Sequence, residues 1–130
     1  MKSVLINFSG HTLNQEVVYA LERHYDKIAN SNPVEINFNE TVADQIESLI
    51  QSLPVKIDGS YSLTINPPGQ STFAILLISY LHGLIGHFPN ICYLERNIEG
   101  IYAPKTEYQI QPQNIRAAGR KFRYIQHSPT

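Results

Sequence analysis

Residues 3–12 read SVLINFSGHT, and this stretch decides the fold. Its first part, Ser3 to Phe8, is an apolar run without clean alternation, which is typical of a strand buried on both faces of a parallel sheet. Ser9-Gly10-His11 breaks the run. Thr12-Leu13-Asn14-Gln15 then has the spacing of a capping box, which predicts that a helix follows at once. The stretch therefore predicts the strand–loop–helix unit of an α/β fold.

The same succession of strand and helix patterns continues along the chain. Val17, Leu21, Tyr25 and Ile28 recur at helical spacing and predict a helix over residues 14–28. A strand is predicted over 34–38, followed by a helix from a Thr41 cap to Leu53 and a strand over 61–65. An apolar helix is predicted over about 72–84, capped by Ser71 or Thr72 and ended by Gly83 and Gly86. Two further strands are predicted over 90–95 and 106–110.

This order of elements predicts an α/β, Rossmann-like three-layer fold. We expect a mostly parallel central sheet of four or five strands with helices on both faces, joined by right-handed crossovers. With the strand order 2-1-3-4, the topological switch point lies between the first and third strands. Ligands of such sheets bind beyond the carboxyl ends of the strands at that point.

Composition bounds the class of protein. The chain has 130 residues, of which 42% are hydrophobic, and a single cysteine. This excludes intrinsic disorder and a disulfide framework, and one domain with a buried core is expected. No apolar run reaches the ~18–20 residues that span a bilayer, and the first residues do not resemble a secretory signal. We therefore expect a cytoplasmic protein that does not bind membranes.

The net charge of −1 conceals two oppositely charged parts. Residues 1–112 hold six Lys/Arg and all eleven Asp/Glu, a net charge of −5, whereas residues 113–130 carry +4 and no acid. We expect a Rossmann-like domain over 1–112 and a basic tail over 113–130. Alternating basic and aromatic residues suit phosphate contacts, a strand added to a sheet edge, or a solvated end. The tail cations are Arg116, Arg120, Lys121 and Arg123.

Two loops at the predicted switch point carry the candidate site. The first offers a hydroxyl, an imidazole and a glycine at a predicted helix N-terminus, which favours an anion. Two prolines stiffen the second, which lowers the entropy cost of ordering a binding surface. Ordinary strand-to-helix turns are the alternative interpretation. The candidate ligand-binding residues are Asn7, Phe8, Ser9, Gly10, His11, Asn66, Pro67, Pro68, Gly69, Gln70, Ser71 and Thr72.

Acid–base or metal chemistry has little support in the residue spacing. His11 is the candidate catalytic residue, because it lies in the predicted crevice and an imidazole can act as an acid or a base near neutral pH. His82 and His87 are five residues apart with two glycines between them, so they do not share a helical face as metal ligands would. Cys92 lies in a predicted strand and is interpreted as a small buried hydrophobe. We expect neither a metal nor a cofactor.

Three stretches together resemble a small accessory family of type III CRISPR systems, grouped with CARF-like and ring-nuclease proteins. They are Ile6-Asn7-Phe8-Ser9-Gly10-His11, Ile65-Asn66-Pro67-Pro68-Gly69-Gln70-Ser71 and Tyr80-Leu81-His82-Gly83-Leu84-Ile85-Gly86-His87-Phe88-Pro89. The resemblance spans residues 3–95, and the basic tail falls outside it. It implies a CARF-like domain that forms a homodimer around cyclic oligoadenylate, and the expected ring is cyclic tetra-adenylate. It also allows these homodimers to form a higher assembly when the ligand is bound.

The resemblance implies that this protein lowers the second messenger in antiviral defence, and three functions stay open. The first is sequestration without fast cleavage. The second is a slow, metal-independent ring nuclease, in which a 2′-hydroxyl attacks the adjacent phosphate. Neither loop holds a lysine or arginine, so His11 or a tail arginine would have to stabilise the developing charge. The third is a non-enzymatic adaptor that binds proteins. No duplex DNA is expected as a partner.

Overall fold

The computed structural model describes residues 2–33, 35–96 and 102–127. These residues form five strands and four helices, and a helix follows every strand except the fourth. The strands are β1 (Lys2–Asn7), β2 (Lys27–Asn30), β3 (Tyr61–Asn66), β4 (Asn90–Arg96) and β5 (Tyr102–Ile110). The helices are α1 (Gln15–Glu22), α2 (Val42–Gln51), α3 (Ser71–Ile85) and α4 (Pro112–His127).

The strands form one sheet in the order β2-β1-β3-β4-β5. The first four run parallel, and β5 pairs antiparallel with β4 at the edge. This confirms the predicted α/β class, the mostly parallel sheet and the strand order 2-1-3-4. Because β1 has a neighbour on each side and a layer on each face, residues 4–7 are all buried, which explains their unbroken apolar pattern.

Helices cover the two faces of the sheet unequally. Val4 and Ile6 of β1 point to the face on which α2 and α3 pack, and they join the larger core cluster. Leu5 points to the opposite face and packs with Val17 and Leu21 of α1 in a smaller cluster. Alternation along one strand therefore feeds both cores, and the result is the three-layer arrangement expected from the sequence.

The helix predicted over residues 14–28 is too long, because a turn follows Glu22 and the last two predicted residues belong to a strand. α1 ends at Glu22, and β2 pairs with Val4–Asn7 of β1. The Asp26 carboxylate accepts a 2.7 Å hydrogen bond from the Ser3 N–H, while the Asp26 N–H donates to the Ser3 carbonyl at 3.0 Å. These bonds fasten the chain to the sheet, and this pairing overrides the apolar periodicity.

The strand predicted over residues 34–38 is wrong for its described residues. Val34 lies outside the described residues, and 35–38 adopt no regular structure. β2 occupies the position beside β1 at which this strand was expected. The Gln45 side chain holds it instead, accepting from the Asn37 N–H and donating to the Asn37 carbonyl, both at 2.9 Å.

Two helix caps differ from the predicted ones. Asn14, not Thr12, caps α1, and its side-chain oxygen accepts from the Val17 N–H at 2.8 Å. Gln70, rather than Ser71 or Thr72, caps α3, because its longer side chain reaches the Phe73 N–H. α1 therefore begins after the first candidate loop has ended, whereas α3 begins directly at the second loop.

Gly86 ends α3 in a left-handed conformation with φ of 84°, whereas Gly83 lies inside the helix and does not end it. An added Cβ at Gly83 meets no atom within 4 Å. We expect Gly83→Ala to raise the free energy of unfolding by about 1 kcal/mol, because alanine favours a helix interior. Urea unfolding measures this. Gly86→Ala is the control and should destabilise, since a side chain is strained at that φ.

Burial on the α1 side of the sheet raises the pKa of the Cys92 thiol and of the Tyr25 phenol. In the folded protein, both groups keep their protons at pH values where the same two groups of the unfolded chain lose them. Their stabilising contribution is therefore complete below pH 9 and declines as the pH rises through the raised values. Urea unfolding at pH 8 and pH 10.5 should show this loss, and Cys92→Ala should reduce it. If the wild type and Cys92→Ala lost the same free energy of unfolding between the two pH values, the raised pKa of Cys92 would not be a cause of the loss.

The basic C-terminal segment is a helix. The interpretation of this segment as a strand added to the sheet edge is wrong, since β5 takes that place and α4 follows it. No residue of α4 is buried. None of the helices in the described ranges is long and apolar enough to cross a membrane.

Candidate functional site

Three asparagines stand side by side at the carboxyl ends of adjacent strands. Asn30 ends β2, Asn7 ends β1 and Asn66 ends β3, and their backbones are in register. Asn7 and Asn66 are only 2% and 7% exposed. A buried amide must find hydrogen-bond partners, so these side chains fix the local structure at the topological switch point.

Asn7 is the central member of this row of three asparagine side chains, Asn30, Asn7 and Asn66, which we call the amide row. Its Oδ1 accepts hydrogen bonds from Asn66 Nδ2 at 2.9 Å, Ser9 Oγ at 2.6 Å and Ser9 N at 3.1 Å. Its Nδ2 donates to Asn30 Oδ1 at 3.0 Å and to the His11 carbonyl at 2.8 Å. One side chain therefore links three strands to the first loop, so its proposed role in this site is to position others.

The first loop is folded tightly against this row. The Ser9 hydroxyl accepts from the His11 N–H at 3.2 Å, and the Phe8 N–H donates to the Asn66 carbonyl at 2.8 Å. Gly10 at the tip has a φ of 78°, a conformation that glycine adopts without strain. The loop backbone is thus preorganised before any ligand arrives, which reduces the entropy cost of binding.

A crevice of about 500 Å³ opens between the two loops on the β2 side. Phe8 and Phe73 contribute its apolar part, and both are nearly fully buried. The other lining residues are Ser9, Gly10, Ser31, Asn32, Pro33, Glu35, Leu49, Pro68, Gly69 and Gln70. Apolar floor and polar rim are the usual composition of a small-molecule site.

A second cavity of about 210 Å³ lies on the β4 side of the same loops. His11 and Tyr93 contribute its ring side chains. The other lining residues are Ser9, Thr12, Leu13, Asn66, Pro67, Gly69 and Leu94. Ser9 and Gly69 line both cavities, so the two cavities meet across these residues.

The structure brings most of the predicted site residues together. Nine of the twelve line one or both cavities: Phe8, Ser9, Gly10, His11, Asn66, Pro67, Pro68, Gly69 and Gln70. Asn7 lies beneath them as the amide centre. Ser71 and Thr72 line neither cavity; they form the first turn of α3, where backbone N–H groups lack intrahelical acceptors.

Sequence reasoning missed the contributions of β2 and β4. Ser31, Asn32, Pro33 and Glu35 reach the larger crevice because β2 ends at Asn30, four residues before the predicted strand begins. Tyr93 reaches the smaller cavity from β4. The Asn-Ser-Asn-Pro sequence at 30–33 was a loop signal, and only the correct strand position could have placed it at the site.

Charge in the site is unusual for an anion-binding surface. Among the residues lining the two cavities there is no lysine or arginine, and Glu35 is the one carboxylate. The first loop also lacks the predicted helix dipole, since α1 begins five residues after Gly10. The N-terminus of α3 adjoins the second loop and supplies positive potential there.

The helix that carries the C-terminal cations begins at the other edge of the sheet from these cavities. β5 runs antiparallel to β4, and Ile110 at its end pairs with Ile91 near the start of β4. α4 therefore begins at the amino edge of the parallel strands, opposite the candidate site. Arg116, Arg120 and Arg123 line neither cavity, and neither does Lys121. A phosphate contact from these four cations stays a prediction.

His82 and His87 have local partners, and Cys92 is enclosed in the core. The rings of His82 and Phe88 lie 4.4 Å apart, and His87 Nδ1 is 3.0 Å from the Phe88 carbonyl oxygen. Cys92 is buried, as predicted. In residues 2–33, 35–96 and 102–127, no three His, Cys, Asp or Glu side chains are grouped so that they could hold a metal ion.

Fold and site together define a Rossmann-like α/β protein with a preformed crevice at the carboxyl ends of its parallel strands. Comparison of the chain with protein-family models, curated proteins and solved structures gives no match. The arguments about function therefore depend on the geometry of the crevice and on the sequence resemblance described above.

Proposed function

We propose that this protein binds cyclic tetra-adenylate at the crevice and lowers its free concentration by sequestration. The observation that carries the proposal is the pair of cavities that meet at Ser9 and Gly69, above the buried Asn7–Asn66 pair. A ligand with repeating units can use two neighbouring cavities at once. The resemblance of the loop sequences to CARF-like proteins supplies the ligand class.

The chemistry of the lining suits the parts of an adenylate ring. Apolar surface from Phe8 and Phe73, with proline at 67 and 68, suits purine bases. Amide and hydroxyl groups of Asn32, Gln70 and Ser9 suit base edges and 2′-hydroxyls. The N–H groups at the start of α3 suit a phosphate. We place the ring between two copies, so that a two-fold symmetric ligand meets a two-fold symmetric dimer.

Sequestration is favoured over fast cleavage by the same lining. Attack of a 2′-hydroxyl on phosphorus develops negative charge, which enzymes stabilise with preorganised donors or cations. No lysine or arginine lines either cavity among the described residues, and His11 is the one imidazole that does. Cleavage would therefore be slow and would depend on His11.

A ligand screen with product analysis tests the proposal. The protein, in excess, is mixed with cyclic tri-, tetra- or hexa-adenylate, binding is followed by mobility shift, and the nucleotide is then analysed by chromatography. We expect cyclic tetra-adenylate to bind and to elute intact. Linear products that disappear in His11→Ala would instead assign a ring nuclease, and failure of all three rings to bind would refute the proposal.

Removal of the crevice carboxylate should strengthen binding. Glu35 is exposed at the larger cavity, where its negative charge repels a ligand that carries four phosphates. We expect Glu35→Gln to raise the affinity by about two- to fivefold at physiological salt, with the difference shrinking as salt screens the charge. Glu22→Gln, on α1 and lining neither cavity, is the matched control and should leave the affinity unchanged.

A further inference from the structure

The C-terminal helix α4 has two contrasting faces. Ile115, Ala118, Phe122 and Ile125 follow one another at spacings of three, four and three residues, so they form one apolar row. Arg116, Arg120 and Arg123 lie on the opposite side. Ile115, Phe122 and Ile125 are 67%, 59% and 63% exposed, so the described residues leave most of the apolar row open.

The domain has an open apolar groove of about 420 Å³ between the C-terminal ends of α2 and α3. Its apolar lining includes Ile50, Leu53, Val55, Tyr80 and Leu84, and Leu84 is 42% exposed although it belongs to an almost wholly apolar helix. Exposed apolar side chains that lie next to one another can form a protein–protein contact.

The groove and the start of α4 lie at the same edge of the sheet. α2 and α3 end at the edge where β3 and β4 begin, and α4 starts beside Ile91 at that edge. The candidate ligand crevice lies at the opposite edge. A partner bound in the groove would therefore leave the crevice open.

Charge complementarity identifies the occupant of the groove. The chain up to residue 112 carries a net charge of −5 and the segment 113–130 carries +4, so each copy attracts the C-terminal segment of another. Glu47 and Lys56 both line the groove, and Lys121 flanks the apolar row of α4. The groove therefore offers one carboxylate to Lys121, and the general attraction comes from the opposite net charges of the two parts of the chain. The apolar surfaces match in character.

We propose that α4 of one copy docks its apolar row into the α2–α3 groove of a second copy. Each copy supplies one helix and one groove, so a two-fold symmetric dimer makes the contact twice and buries twice the area. This dimer forms through the amino edge of the sheet and needs no nucleotide. Its test is therefore independent of the proposed ligand.

Light scattering after size exclusion, without nucleotide, tests the docking contact. We expect the full chain to be a dimer and the chain ending at Gln111 to be a monomer. Phe122→Glu and Leu84→Glu should each give monomers, because each places a charge in the apolar contact. Arg120→Gln, on the opposite face of α4, is the control and should stay dimeric. Circular dichroism confirms that each variant is folded.

An equal mixture of the two monomeric variants makes the test specific. The Phe122→Glu chain still has an intact groove and the Leu84→Glu chain still has an intact helix, so one contact of the pair can form. We expect a dimer fraction between those of the wild type and of either variant alone. A monomeric full chain, a dimer unaffected by Leu84→Glu, or a monomer that instead sediments with phosphatidylglycerol vesicles would overturn the proposal.

Discussion

Asn7→Ala should lower the free energy of unfolding by about 2–4 kcal/mol and abolish ligand binding. Asn7 makes five hydrogen bonds and is 2% exposed. Its loss leaves the buried Asn66 amide and the Ser9 N–H without their acceptor, and each buried unpaired group costs about 1–3 kcal/mol. The loop that carries Gly10 and His11 then loses its attachment to the strands. Urea unfolding and a binding titration measure the two effects.

A matched control separates this role from the general effect of removing an amide. Asn37 is exposed, and its side chain accepts one hydrogen bond, from the Asn39 N–H at 3.0 Å. We expect Asn37→Ala to cost less than about 1 kcal/mol and to leave binding intact. If Asn7→Ala were no more destabilising than Asn37→Ala, the amide row would not be the structural centre of the site.

Gly69→Leu should block the site without unfolding the protein. Gly69 lines both cavities, and an added Cβ there meets no atom within 4 Å. Its φ lies outside the left-handed region, so a larger side chain fits the backbone and fills the space that the ligand needs. We expect the affinity for cyclic tetra-adenylate to fall by about 100-fold or more, equal to about 3 kcal/mol, while the melting temperature stays within a few degrees.

The same substitution at a distant glycine provides the control. Gly83 is exposed near the end of α3, and its Cβ position is also open. Gly83→Leu should bind the ligand as the wild type does. If Gly69→Leu bound equally well, the ligand would not occupy the two cavities.

The fold could be predicted from the sequence because its central elements have distinct local patterns. The apolar run of β1, the alternation with amphipathic helices and the apolar α3 are consequences of burial, which the sequence records directly. The switch point between β1 and β3 follows from the strand order. The prediction that the loops after these two strands lie side by side was therefore correct.

The errors have a common physical cause, which is that long-range pairing overrides local pattern. Tyr25 and Ile28 continue the periodicity of α1, but the bond between Ser3 and Asp26 begins β2 at Lys27. The alternation around Ile36 predicted a strand beside β1, but β2 occupies that position. No local signal places Ser31 or Glu35 at the crevice, because their position depends on where β2 ends.

The C-terminal helix was missed for a different reason. Alternating basic and aromatic residues suggested a strand or a solvated tail, although the spacing of Ile115, Ala118, Phe122 and Ile125 is helical. That row stays exposed in the part of the chain that the structure describes, so it does not belong to the core from which the other helices were predicted. An amphipathic helix without a core partner is the pattern expected of an intermolecular contact.

The central claim is that the crevice takes up cyclic tetra-adenylate, and calorimetric titration of the full chain tests it most directly. The account predicts binding at micromolar affinity or tighter, about −8 kcal/mol, with about one ring for every two chains. Nucleotide recovered afterwards should be intact. The absence of heat and of any mobility shift, or wild-type affinity in Gly69→Leu, would contradict the account.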